Sequence, residues 1–219
     1  MSMNKLARLL TLTAVIAVSL SPLVARAADE GPLEVRLRAI YLDPANKSDA
    51  YLPLEIPQNA VHINGKWLPD FDVEYFITPN WSSELVLTYP QSQTVTVEKS
   101  VLGGPTVLGT FKHLPPVLTA KYNFAPEAAV RPYVGLGINV TLISNVDLTV
   151  PGVGGLRLDS MSIGPAAQAG VDVKLAEHWF FNADIKWAQI RSDVKFDGSK
   201  ISAVHIDPLL FGIGVGYRF

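Results

Sequence analysis

The C-terminal stretch Ile-Asp-Pro-Leu-Leu-Phe-Gly-Ile-Gly-Val-Gly-Tyr-Arg-Phe constrains the fold more than any other part of the chain. Read with the period of a β-strand, Leu209, Phe211, Ile213, Val215, Tyr217 and Phe219 share one face, while Leu210, Gly212, Gly214, Gly216 and Arg218 share the other. A terminal strand that is greasy on one side, nearly bare on the other and finished by an aromatic suits a strand whose outer face meets lipid. The chain end therefore predicts an outer-membrane β-barrel.

The N-terminus is consistent with export. Lys5 and Arg8 precede an apolar run from Leu10 to Val24, and Ala25-Arg26-Ala27 supplies a small-x-small processing pattern, so residues 1–27 read as a cleaved secretory signal peptide. Residues 28–219 then form one barrel domain. Downstream of the signal, no apolar run reaches the roughly 20 residues of a spanning helix, which leaves strands as the membrane-crossing elements. With no cysteine, thiol catalysis and thiolate metal sites are excluded. Losing Lys5, Arg8 and Arg26 with the signal moves the formal charge from −2 to −5, the wrong sign for a nucleic-acid partner.

The alternation predicts eight antiparallel strands: Leu33 to Leu42, Pro69 to Ile77, Asn80 to Tyr89, Phe111 to Phe124, Val130 to Val140, Ser162 to Leu175, His178 to Ile190 and Ile206 to Phe219. Tight connections at Thr78-Pro79, Ala125 to Ala129 and Ala176-Glu177 alternate with four long ones: Asp43 to Leu68, Pro90 to Thr110, Thr141 to Met161 and Arg191 to His205. That is the plan of an all-β, eight-stranded antiparallel transmembrane barrel with short periplasmic turns and long extracellular loops.

The inward faces divide by height. Arg36, Glu74, Glu84 and Lys121 fall in the periplasmic half with Arg131, Asp172, Asp184 and Arg218, a predicted ion-paired plug. The loop-side half carries Ile40, Leu42, Val86, Val117, Ile190 and Leu210, a predicted apolar funnel for a small hydrophobic ligand. His113, Pro115 and Pro116 lie where strand four meets its loop. Prolines donate nothing to a ladder, so this point is a candidate lateral exit to the bilayer, or else an edge distortion that ends the regular sheet.

Catalytic and metal readings find little support. His62, His113, His178 and His205 have no ligand-pair spacing, and His205 with Asp207 reads as a rim pair because no serine sits in a nucleophile motif. Gly152-Val153-Gly154-Gly155 lacks the Lys-Ser/Thr of a phosphate loop and reads as a flexible tip. No cofactor and no enzymatic activity are expected.

Several stretches resemble the outer membrane protein W (OmpW/AlkL) family: Val35 to Ser48, Phe111 to Phe124 with its His-Leu-Pro-Pro, Arg131 to Asn139, His178 to Trp187 and Asp207 to Phe219. The resemblance covers the whole mature chain. It implies an eight-stranded barrel whose apolar lumen admits small hydrophobic molecules and releases them sideways through the wall. It also implies that Tyr217 and Phe219 belong to the signal read by the barrel assembly machinery. The partners expected are outer-membrane lipid, that machinery and a hydrophobic ligand. The alternative is a structural or surface-interaction barrel with no transport role.

Deleting Phe219, or replacing it with Asp, should lower the folded, membrane-inserted fraction without impairing secretion. Migration of unboiled against boiled samples on gels checks this, and unchanged insertion of both variants would count against it.

Overall fold

The computed structural model describes residues 30–101 and 103–219; the segment read as a signal peptide and the mature start at Ala28 lie outside them. The described residues form fifteen strands. In chain order these are β1 (Leu33–Asp43), β2 (Lys47–Ser48), β3 (Val61–Ile63), β4 (Lys66–Phe76), β5 (Trp81–Leu87), β6 (Gln91–Val97), β7 (Thr106–Leu114) and β8 (Val117–Asn123). They continue with β9 (Val130–Val150), β10 (Gly154–Leu158), β11 (Met161–Lys174), β12 (Trp179–Ala188), β13 (Arg191–Phe196), β14 (Ser199–His205) and β15 (Leu209–Arg218).

Eight of these close the lower storey. The order β1-β4-β5-β8-β9-β11-β12-β15 returns to β1, every neighbour antiparallel, and Phe219 N–H donates to Leu33 O at 2.9 Å at the joint. The predicted alternation holds. Leu37, Leu136 and Ile213 face outward, Leu136 at 74% exposure, whereas Arg36, Glu74 and Lys121 are fully buried in the lumen. Aromatics ring the short-turn rim, with Trp81 and Tyr122 5.0 Å apart and Trp179 and Tyr217 5.1 Å apart, while Tyr41 and Trp67 meet at 5.4 Å nearer the other rim. Amphipathic rings at two levels are what a bilayer's two interfaces select.

The long connections differ from expectation. They fold as hairpins and carry the sheet upward instead of remaining loops. β9 runs to Val150, not Val140, and with β6, β7, β10, β13 and β14 it takes up much of the three later stretches read as loops, while Asp43 to Leu68 adds only the short strands β2 and β3 and the start of β4. The order β3-β6-β7-β9-β10-β13-β14-β2 makes a second storey on the first. Its remaining seam, between β2 and β3, is closed largely by side chains: Ser48 N–H donates to Asn59 Oδ1 at 3.2 Å and Ile63 N–H to Asn46 Oδ1 at 2.7 Å. The cause is legible afterwards, because Val95, Val97, Leu148, Val150 and Leu156 are buried and spaced as strand faces. The Gly152 tip is a turn between β9 and β10, with Gly152 at φ 76°.

Predicted strand four also departs from expectation, splitting at Pro115-Pro116 into β7 and β8. Opposite it, β5 and β6 are divided by Thr88, Tyr89 and Pro90. The ladder pairs Val86 with Val117 and resumes at Gln91 with His113, and the register gives the residues between no partner across this interval. On the other flank the sheet continues, Val140 N–H donating to Pro116 O at 3.1 Å. Pro90 on one side and Pro115 and Pro116 on the other lack the N–H of a ladder donor, all three within the lapsed interval.

The bare inward face of β15 makes room for the plug. Gly214 lies opposite Arg38, and a Cβ there would stand 2.2 Å from Leu37 O and 2.6 Å from Arg38 Cγ. Gly214→Ala should therefore push β1 from β15 and cost on the order of 1–3 kcal/mol, read as a lowered urea midpoint in lipid vesicles. Gly104→Ala, with nothing within 4 Å, is the matched control and should leave the midpoint unchanged.

Candidate functional site

The lumen is organised from below upward. At the periplasmic mouth, Glu30 accepts from Arg131 at 2.6 and 2.9 Å, from Lys174 at 2.5 Å and from Arg218 at 3.2 Å. Burial alone would raise the Glu30 carboxyl; the hydrogen bonds and charges of Arg131 and Lys174 outweigh it and hold it at about 2. Arg131 and Arg218 were expected to neutralise Glu74, Glu84, Asp172 and Asp184, but they form this collar instead, because Glu30 precedes β1 and folds into the mouth. Arg218 also stacks on Phe76 at 3.7 Å.

Above the collar Arg36 is the hub. Its guanidinium meets Glu34 at 2.9 Å, Glu84 at 3.1 Å, Asp172 at 3.0 Å and Asp72 at 3.4 Å, and it also contacts Glu74. Glu34, Glu74 and Asp172 converge closely enough to hold a metal ion, but the protein's own cation sits among them. Lys121 joins Glu74 at 2.6 Å and Glu84 at 2.9 Å and lies over the Tyr133 ring at 3.8 Å. Thus Arg36, Glu74, Glu84, Lys121 and Asp172 come together as predicted. Asp184 does not join Arg36: it pairs with Arg38 at 2.7 Å, and Arg38 also takes Asp70 at 2.6 Å and Asp72 at 2.9 Å. Lys186 completes the upper layer against Glu84 at 2.8 Å. Arg38 and Lys186 were inward on the strand pattern, yet their part in the plug escaped the sequence reading. The signal was the β1–β4 register, which sets Arg36 against Asp72 and Arg38 against Asp70.

On this charged floor stands a small apolar chamber. Ile40, Leu42, Val86, Val117, Ile190 and Leu210 all line it, joined by Pro115, Thr88 and Gln91 at the broken ladder. A second small chamber, foreseen by none of the sequence expectations, lies in the upper storey among Leu54, Ile63, Val95, Phe111, Leu148 and Val204. One cluster of buried apolar side chains includes lining residues of both, from Val97 and Leu108 above to Val117 and Ile190 below.

Of the expected exit residues, Pro115 borders the lower chamber and Pro116 the break. His113 closes the break on its far side by pairing with Gln91 but lines neither chamber: fully buried, it faces Gln93, with Gln93 Nε2 and His113 Nε2 3.3 Å apart. Tyr217 and Phe219 sit at the periplasmic rim, ring centroids 5.0 Å apart, with Phe219 exposed. Asp207 pairs with Arg191 at 3.4 Å and accepts from Ile190 N–H at 2.9 Å.

Comparison with known proteins agrees with this architecture. Residues 29–219 match the sequence model of the OmpW family. Outer membrane protein W of Vibrio cholerae is 31% identical over 216 residues, covering 95% of this chain and 97% of the relative. Dibenzothiophene metabolism operon protein PahQ of Pseudomonas aeruginosa is 28% identical over 175 residues, covering 73% and 80%. The crystal structure of the outer membrane protein OprG from Pseudomonas aeruginosa superposes with a TM-score of 0.73 at 26% identity, covering 86% of this chain and 96% of that one.

Removing the hub should expose the cost of the buried carboxylates around it. Arg36→Ala leaves Glu34, Glu74, Glu84 and Asp172 short of a cation in a closed lumen, and breaking such a buried network costs about 3–5 kcal/mol. The expected outcome is a large drop in the urea midpoint of the vesicle-inserted barrel.

Proposed function

This chain belongs to the OmpW family of outer-membrane β-barrels, and from that premise we propose that it is a passive conduit for small hydrophobic molecules. They enter through the upper chamber, settle in the lower one and leave sideways into the membrane. The observation that carries this reading is the apolar lining that descends through both storeys and stops on a charged floor. An apolar solute gains about 25 cal/mol for each Å² it withdraws from water, so the chambers attract it. The plug offers it no onward path, since displacing buried ion pairs with hydrocarbon would strand charges.

The exit is the broken ladder beside Pro90, Pro115 and Pro116. Elsewhere in the lower storey each wall strand is tied to its neighbours by backbone hydrogen bonds, whereas here the register lapses between Val86↔Val117 and Gln91↔His113. Parting the wall at this height sacrifices fewer bonds. The adjacent outward residues Leu87, Leu118 and Leu142 are exposed and apolar, so the opening gives onto lipid. The relative PahQ, whose name ties it to a dibenzothiophene metabolism operon, supports an apolar cargo. Residues 1–27 direct export and are removed, and Tyr217 with Phe219 presents the terminal aromatic motif to the assembly machinery.

Val117→Asp or Leu210→Asp places a carboxylate in the lower chamber. Either should cut uptake of a long-chain alkane several-fold in cells while the barrel still folds, as judged by heat-modifiable migration. Wild-type uptake in folded variants, or an equal fall for a small hydrophilic probe, would favour a purely structural barrel.

A further inference from the structure

The floor of the lower chamber carries a polar pair that the ion network leaves unsatisfied. Asp72 pairs with Val86 across β4 and β5, and continuing that antiparallel register sets Asp70 opposite Thr88 on the lumen face. Both line the chamber. Asp70 is 2% exposed and gives its Oδ2 to Arg38 at 2.6 and 3.2 Å, while its Oδ1 has no hydrogen-bond partner. Thr88 Oγ1 is likewise unpartnered.

Buried polar atoms are as a rule satisfied, so an unsatisfied pair on two residues that line a cavity asks what completes it. A carboxylate oxygen only accepts, whereas a hydroxyl also donates. The complementary group is therefore one that donates to Asp70 and accepts from Thr88. Its charge is constrained as well: every charged group on the floor already has an ion-pair partner, Asp70 and Asp184 in Arg38 and Lys186 in Glu84. A charged head would upset that balance in a low-dielectric pocket, and a neutral one would not.

Resting on the transport reading above, we propose that the lower chamber selects apolar molecules bearing one neutral hydroxyl, which donates to Asp70 Oδ1 and accepts from Thr88 Oγ1. The tail lies against Ile40, Leu42, Val86 and Val117. Selectivity arises because a hydroxyl reproduces the hydrogen bonds of any water it displaces there, whereas a plain hydrocarbon strands both protein atoms.

The test titrates isotope-labelled protein in lipid nanodiscs and follows the methyl resonances of Ile40, Val86, Val117 and Leu210. The probes are 1-octanol, 2-octanone, n-octane and n-octylamine. Each apparent affinity is compared between wild type, Asp70→Asn and Thr88→Val, so partition into the lipid cancels. Wild type should bind octanol roughly 10-fold or more tightly than octane or octanone, the ratio expected for a hydrogen bond to a charged acceptor. Asp70→Asn, by turning an N–H into the cavity while its oxygen stays on Arg38, should shift preference from octanol toward octanone. Thr88→Val should weaken octanol several-fold and leave octane unchanged. Saturable binding of octane with no octanol preference would overturn hydroxyl recognition and leave the conduit standing. Tighter octylamine than octanol would overturn the neutral-head argument. No methyl response to any probe would overturn the transport reading and the proposal with it.

Discussion

A backbone in hydrocarbon has no water to bond to, so each N–H and C=O in the membrane must find a partner in the protein. The rest of this structure follows from that requirement. β1 meets β15 and the sheet becomes a tube without edges. Eight strands make a tube too narrow for bulk water but too wide to be empty, so its inward side chains must fill it. Here they do so with charge. Arg36 and Arg38 lie across the bare face offered by Gly212, Gly214 and Gly216, and the carboxylates of four other strands turn toward them.

Filling the lower lumen with ions gives the molecule a direction. A buried network in which Arg36 touches five carboxylates holds together only when complete, so it behaves as a wall against both water and hydrocarbon. Above it the lining turns apolar, and the second storey prolongs that lining beyond the rim aromatics. The lining stays apolar down to Arg38 and Lys186, where charge takes over.

The closure rule is relaxed in one interval, and its position is informative. Pro90, Pro115 and Pro116 cannot donate, and all three fall in the lapsed interval, Pro115 bordering the lower chamber with its charged floor. A ladder lapse there leaves the wall least bonded beside the lower chamber, while the unbroken flank toward β9 keeps the barrel whole.

Much of this was legible in the chain. Strict alternation in Leu209 to Phe219 and Leu33 to Tyr41 determines which side meets lipid, because a period of two admits two faces and only one is apolar. The prolines announce a break, and the inward order of charges followed by Ile40, Leu42, Val117 and Leu210 announces a plug beneath a funnel. Tertiary structure decided what depends on neighbours distant in sequence. That Arg131 and Arg218 serve Glu30, that Asp184 belongs to Arg38, and that the ladder lapses between Val86↔Val117 and Gln91↔His113 are consequences of register, which alternation within single strands leaves open. The upper storey was hidden for the same reason: its hairpins are short, mixed in polarity and stable only against one another, so their apolar faces became visible as a lining once the barrel below had set them side by side.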